Sequence, residues 1–160
     1  ETALEMSGVS TVAEAATDII AYRQSQGVAK PWENIDFIDD IVSVQRHRQM
    51  DRSDHYSELH FYDRSPICTY ALAKYLNFKP SSDLMQEIER IEKQSIYEKD
   101  VFFIDNLGFI SNTDARQISF EDSLVFEQLH RDAYQKFGFR CIAIPASSVD
   151  HRVKLILEHI

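Results

Sequence analysis

The sequence predicts an α/β protein, a three-layer α-β-α sandwich built on a mostly parallel sheet, and three observations carry that expectation. Short apolar runs alternate with longer segments of helical period along the whole chain, the pattern of a parallel sheet sandwiched between helix layers. Three of the four strand candidates are continuous apolar runs, as strands covered on both faces are. The fourth, Leu59 to Asp63, is aromatic and ends in an acid and an arginine just before Ser65-Pro66, so that charge leaves a strand where a capped helix starts.

Each element has a local reason. Glu1 to Met6 read as the last turns of a helix closed at Gly8; they begin with neither an initiator methionine nor an N-terminal cap, and a segment upstream is expected. Val9 to Ala13 is a short strand. Glu14 to Gln26 follows as a helix with Ala16, Ile19, Ile20 and Arg23 at helical spacing, ended by Gly27. Lys30-Pro31-Trp32 connects to a long helix, Asn34 to Met50, in which Phe37, Ile38, Ile41, Val42 and Val44 mark the apolar stripe and Gln45, Arg46 and Arg48 ride the later turns. Asp51 to Ser57 is polar.

The strand at Leu59 leads into a helix over Ile67 to Leu76, and Ser82 is expected to cap another from Asp83 to about Ile96. Val101 to Ile104 is a solid apolar strand, and Asn106 to Arg116 an irregular excursion. Ser119 starts a helix that reaches Phe137 and stops at Gly138, Cys141 to Pro145 is the next buried strand, and Val149 to Ile160 closes the chain as an amphipathic helix. No repeat, low-complexity tract or linker interrupts the order, so residues 1–160 are expected to form one domain. Ligands of such sheets sit at the carboxyl ends of the strands, which here are Glu14, Asp63, Asp105 and Pro145.

The totals exclude several classes. With 160 residues, 44% of them hydrophobic, the chain has the size of one ordinary domain. Its net charge of -9, from 26 acidic against 17 basic residues, leaves no basic face for a nonspecific grip on nucleic acid. Two cysteines are too few for a disulfide scaffold and point to a reducing, cytoplasmic setting. No apolar run approaches the roughly 20 residues of a membrane helix. The six histidines show no HExxH, the cysteines no CxxC and no evident partner, and there is no GxSxG elbow, so structural zinc and hydrolase chemistry are not expected.

A further set of short motifs runs in a fixed order: Thr11-Val12-Ala13-Glu14-Ala15-Ala16, Lys30-Pro31-Trp32, Val44-Gln45-Arg46, Tyr62-Asp63-Arg64-Ser65-Pro66, Val101-Phe102-Phe103 and Asp114 to Glu121, then Tyr134 with Gly138-Phe139, and Ile144-Pro145 with Val149 and Arg152. Together they resemble the AAA-type predicted ATPases, P-loop kinase-like NTPases related to nucleoside and nucleotide kinases, over essentially the whole chain. That family also has a first strand and a glycine-rich phosphate loop. No GxxxxGK[ST] occurs here, and none of Gly8, Gly27, Gly108 and Gly138 precedes a lysine. The first residues align with the end of the helix that such a loop would open, so a strand and loop preceding Glu1 are expected; without them tight nucleotide binding and catalysis would be lost.

The resemblance implies roles. Glu14 matches the acid that faces the acceptor as base or metal partner; alternatively it is a first-turn acid favoured by the helix dipole. Asp63 would hold magnesium through water and Arg64 a phosphate or the acceptor, unless the pair merely caps and stitches a helix start. Arg116 matches the arginine of a lid, about residues 106–120, that closes cations over the transferring phosphate, or else pairs with Glu121 or Asp122 on the surface. Gln45 stands where nucleoside kinases read a base edge with an amide, Trp32 and Phe37 would wall the acceptor pocket or belong to the core, and Arg152 would lie by the adenine above 146–149. Asp105 is read as structural.

The function this implies is Mg2+-dependent phosphoryl transfer from ATP or GTP to a small acceptor or to water. The rival reading is a nucleotide-dependent switch or interaction module without significant catalysis. An inert helical sandwich is a third.

Overall fold

The computed structural model describes residues 1–52, 59–105 and 119–160. In chain order the elements are α1 (Thr2–Met6), β1 (Ser10–Val12), α2 (Ala16–Ser25), a 3-10 turn (Pro31–Glu33), α3 (Asp36–Arg52), β2 (His60–Tyr62), α4 (Pro66–Tyr75), α5 (Ser82–Lys93), β3 (Asp100–Ile104), α6 (Phe120–Lys136), β4 (Arg140–Ile144) and α7 (Val149–Leu157). The expected alternation of strands and helices is present, with boundaries displaced by one to three residues.

Serines start four of the helices by accepting a backbone N–H that the first turn would otherwise leave unpaired. Ser65 takes Ile67 N–H (3.2 Å), Ser119 takes Asp122 N–H (3.1 Å) and Ser148 takes His151 N–H (3.3 Å). For α5 the cap is Ser81, not Ser82: its hydroxyl accepts from Leu84 N–H at 3.1 Å. Either serine satisfies the local rule, and the three-residue offset to the fully buried Leu84 decides which one does. Gly27 and Gly138 follow α2 and α6 at φ +90° and +78°, left-handed values that stop a helix at little steric cost in glycine.

Both strand pairs are parallel. β1 runs beside β2 with Ser10 opposite His60 and Val12 opposite Tyr62, and β3 runs beside β4 with Val101 opposite Cys141 and Ile104 opposite Ile144. Among the described residues these are two separate two-stranded sheets rather than one sheet. The apolar pattern of a strand reports how it is covered and says nothing of which strand lies next to it. Between the pairs the contact is through rings, Phe61 of β2 against Phe102 of β3 at 6.1 Å and Tyr62 against Tyr97 at 5.2 Å.

The expectation that β3 and β4 are covered on both faces also needs correcting. Val101, Phe102 and Phe103 are only half-buried, Ile104 is 41% exposed, and in β4 only Ile144 is buried. Side chains of a strand project to the two faces of its sheet, and here those faces are covered only in part.

The core lies mainly between helices. Ile38 and Val42 of α3, Ile67 and Ala71 of α4, Leu84, Ile88 and Ile91 of α5 and Ala133 and Tyr134 of α6 form one buried cluster. The spacing 84, 88, 91 is a single helical stripe, and each such side chain contributes about 1.5–3 kcal/mol by leaving water. A second cluster joins Ala15, Ile19 and Ile20 to Phe37 and Ile41, and Leu72 and Leu76 of α4 pack against both. One charge is buried with them: Glu87, 3% exposed, pairs with Arg90 at 2.7 Å, and Arg90 also donates to Gln49 at 2.6 Å. A buried carboxylate is tolerable only when paired in this way. No helix among the described residues is long and apolar enough to cross a membrane.

Candidate nucleotide site at the ends of two parallel strands

The register of β1 and β2 brings charge together. Asp63 N–H donates to the Val12 carbonyl at 2.9 Å, extending the ladder by one residue. Glu14, Asp63 and Arg64 therefore leave neighbouring strands at the same, carboxyl end. Desolvation works against the charge on Arg64, but Cys68, Asp63 and Glu14 outweigh it and raise the pKa of the guanidinium. Arg48 of α3 closes the end of β1 by donating to the carbonyls of Ala13 (2.9 Å) and Glu14 (2.8 Å) while pairing with Asp18. Nothing in the sequence marks Arg48 for that task, because a strand-end carbonyl has no residue signature.

The carboxylate of Glu14 accepts from the N–H groups of Ala16 (3.3 Å) and Thr17 (3.1 Å) and from the Thr17 hydroxyl. It thus caps α2, whose formal N-cap position, Ala15, has no side chain able to do so. Two carboxylate oxygens offer about four acceptor positions, so capping does not exhaust Glu14. Asp63 is exposed and stands by the Glu1 carboxyl, whose pKa is raised first by slight burial and then by the charge of Asp63. Two acids so placed favour a shared proton or a cation between them. Among the described residues no group of three or more His, Cys, Asp or Glu forms a metal cage. One or two carboxylates are what a Mg2+ that arrives with phosphates requires.

Arg64 has a left-handed backbone, φ 71°, a conformation that a non-glycine residue adopts at a cost. That turn sends the side chain across to α6. The residue is exposed overall, yet its guanidinium lies over the Phe126 ring (6.0 Å to the centroid) and its Nη1 is 3.1 Å from His130 Nε2. Behind it stands a buried polar group from α4 and α6. The Tyr134 hydroxyl is 2.9 Å from Ser65 Oγ and 3.0 Å from Cys68 Sγ. The sequence marked Tyr134 only as one of the family motifs and gave Cys68 and His130 no role, since no cysteine had an evident partner. The missed signal was helical: Phe126 and His130 are four residues apart on α6 and share a face.

The cluster changes the chemistry of the thiol. Burial pushes the Cys68 pKa up, but His130, Arg64 and Tyr134 stabilise the thiolate and bring it down from 9.0 to about 7. Tyr134 moves the other way, raised first by burial and then by Cys68, and stays a hydroxyl donor. Thiolate absorbance near 240 nm is therefore expected to titrate with a midpoint about 7, and to vanish from that range in Cys68→Ser. Between about 7 and 9.0 the unfolded chain keeps a proton that the native one has released, so Cys68 adds stability that grows over that window and is lost as pH falls through about 7. A thiolate signal that appears only near 9.0 would contradict this assignment.

The remaining candidates are more dispersed. Gln45, half-buried on α3, accepts from the Thr69 hydroxyl of α4 at 2.9 Å, so any contact with a base falls to its amide nitrogen. Trp32 packs against the Ala15, Ile19 and Phe37 cluster. Arg152 is half-buried on α7, and its Nε is buried with no hydrogen-bond partner among the described residues. No contact among the described residues ties Trp32 or Arg152 to Arg64. Asp105, at the end of β3, pairs with Arg131 of α6 at 3.4 Å, and that guanidinium also covers the Phe103 ring at 4.3 Å. Arg116 and residues 106–118 of the lid expected over about 106–120 lie outside the described residues.

Comparison with known proteins gives one match. A family profile described as an AAA domain matches residues 2–152. No curated protein and no solved structure matches the chain. The matched span takes in every described element up to the first turn of α7, including both strands that carry Glu14, Asp63 and Arg64. The chain therefore belongs to the AAA domain family, a family of nucleotide-binding P-loop domains.

Proposed function

We propose that this chain is a kinase-like NTPase domain that binds ATP or GTP with Mg2+ and transfers a phosphoryl group to a small acceptor or to water. The observation that carries the reading is the meeting of Glu14, Asp63 and Arg64 at the carboxyl ends of two hydrogen-bonded parallel strands, the place where α/β sheets take ligands. In this reading residues 1–160 are one domain, and the two strand pairs are parts of one mostly parallel sheet between helix layers. Two cysteines without a disulfide among the described residues suit a reducing cytoplasm.

Each side chain has a task that its chemistry allows. Arg64 presents a planar fork that matches two phosphate oxygens and stays charged. Asp63 with Glu1 supplies the carboxylates beside which a hydrated Mg2+ would neutralise phosphate charge. Glu14, one strand over, is placed to orient or deprotonate an acceptor hydroxyl. Gln45 can offer an amide N–H to a base, Trp32 an aromatic wall to the acceptor, and Arg152 an otherwise unpartnered buried donor to the nucleotide. No GxxxxGK[ST] that would supply an amide cradle for the β- and γ-phosphates occurs within the 160 residues.

Asp63→Asn tests the reading. The substitution keeps the shape and removes the charge, so turnover is expected to fall at least about 10²–10³-fold, the scale of losing one preorganised electrostatic group, with an unchanged melting temperature. Unaltered turnover would remove Asp63 from the chemistry. Calorimetry with ATP and a nonhydrolysable analogue, run beside a product assay, separates the rival: binding with no product at all identifies a nucleotide-dependent switch.

A further inference from the structure

We propose that Phe126 and His130, one turn apart on α6, form a cradle that positions Arg64 for the phosphate contact, with His130 Nε2 as the acceptor that fixes the guanidinium. The inference rests on the proposed function for what Arg64 binds, and on the geometry alone for how Arg64 is held.

The partners of His130 settle its tautomer. Nδ1 lies 2.7 Å from the carbonyl of Phe126, and Nε2 lies 3.1 Å from Nη1 of Arg64. A carbonyl only accepts and a guanidinium only donates. With Cys68 in its thiol form the ring proton therefore sits on Nδ1, and Nε2 turns its lone pair to Arg64. The imidazole stands edge-on to the Phe126 ring at 4.3 Å and 85°, and the same ring carries the guanidinium on its face at 6.0 Å. One aromatic thus orients both members of the pair. His130 is only 4% exposed and Tyr134, a turn further along, is 6% exposed, so the cradle is built into packed helix rather than into a mobile surface.

The backbone gives the cradle a reason. With φ at 71°, Arg64 occupies a conformation of narrow population, and a long side chain leaving it has many rotamers and roughly 2 kcal/mol of rotamer entropy to lose on binding. An acceptor and a ring face held by α6 remove that freedom before the ligand arrives, which is how preorganisation raises affinity. His130 does not touch phosphate in this scheme; it acts through Arg64 and is a positioning residue.

The test compares His130→Leu with His130→Gln in the full chain. Leucine keeps the apolar volume and removes the acceptor, whereas glutamine returns a carbonyl oxygen near the place of Nε2. Two quantities are read: the Arg64 guanidinium N–H resonances of the nucleotide-free protein, and the dissociation constant for ATP with Mg2+. In H130L the guanidinium signals are expected to collapse toward those of a freely rotating arginine and ATP affinity to fall about tenfold, the order of one hydrogen bond to a charged group. In H130Q both are expected to return to within about threefold of the parent.

Unchanged Arg64 resonances in H130L overturn the proposal. So does an equal loss in H130L and H130Q accompanied by the same fall in melting temperature, since that marks a purely structural histidine. Should H130L not fold, His130→Met takes its place in the comparison. Altered Arg64 resonances together with no ATP binding by the parent leave the cradle standing and remove the proposed function, so the two failures are told apart.

Discussion

Arg64→Gly is expected to lower turnover about 10²–10³-fold while costing only about 1–3 kcal/mol of stability. The reason is the backbone. At φ 71° an arginine carries the steric cost of the left-handed region, on the order of 1–2 kcal/mol, which glycine does not. Against that relief stand the greater freedom of glycine in the unfolded chain, about 0.5–1 kcal/mol, the lost contact with the Phe126 ring, of similar size at a partly exposed site, and the lost hydrogen bond to the buried His130 Nε2, about 1.5–3 kcal/mol. These contributions leave a net loss of about 1–3 kcal/mol. Function has no such compensation, because glycine offers nothing to a phosphate. Thermal unfolding and a product assay on the same preparation check both halves. A collapse of stability would mean that Arg64 is chiefly a strut between α4 and α6, and the phosphate role would then lose its main support.

Ile67→Ala, three residues further on, is expected to do the opposite. Ile67 is 0% exposed and belongs to the principal core cluster, with Val42, Leu84 and Tyr134 among its members. Removing three buried carbons there costs the transfer free energy plus a cavity, about 2–5 kcal/mol. For a chain of this size that is a fall in melting temperature of roughly 4–20 °C. Urea titration should show a lower midpoint at constant slope, because the surface exposed on unfolding hardly changes. In the fraction that stays folded, turnover should be near that of the parent. A loss under about 1 kcal/mol would show that α4 settles onto α5 and α6 and fills the gap. The two substitutions together separate what the first turn of α4 contributes to chemistry from what it contributes to the core.

Much of this was readable from the order of residues. The helices were legible because their signals are local. Ser65-Pro66 opens α4, Ser119 caps α6, Gly27 and Gly138 end α2 and α6, and the stripe at 84, 88 and 91 can belong only to a helix with one buried face. The candidate site was legible in half. Glu14, Asp63 and Arg64 could be named because ligands gather at strand ends, and the parallel register of β1 with β2 puts them at one end.

The other half could not be read. Cys68, His130 and Tyr134 are ordinary helix residues until α4 and α6 pack, and Arg48 is an ordinary surface arginine until α3 crosses the end of β1. Each depends on a contact between residues 34 to 66 positions apart, and sequence periodicity carries no information at that separation. For the same reason the apolar runs at Val101 and Cys141 told that strands exist and overstated how well they are covered.

The sequence by itself determined the alternation of strand and helix, the caps and stops, the acidic balance and the charge at the strand ends, all of which follow from residue type and short-range spacing. Only the tertiary structure decided which strands pair, which serine caps α5, that Glu14 closes its own helix, and that an arginine on one element is held by a histidine and a ring on another. Pairing and burial are properties of surfaces brought together by folding, and a surface has no partner until the chain has closed on itself.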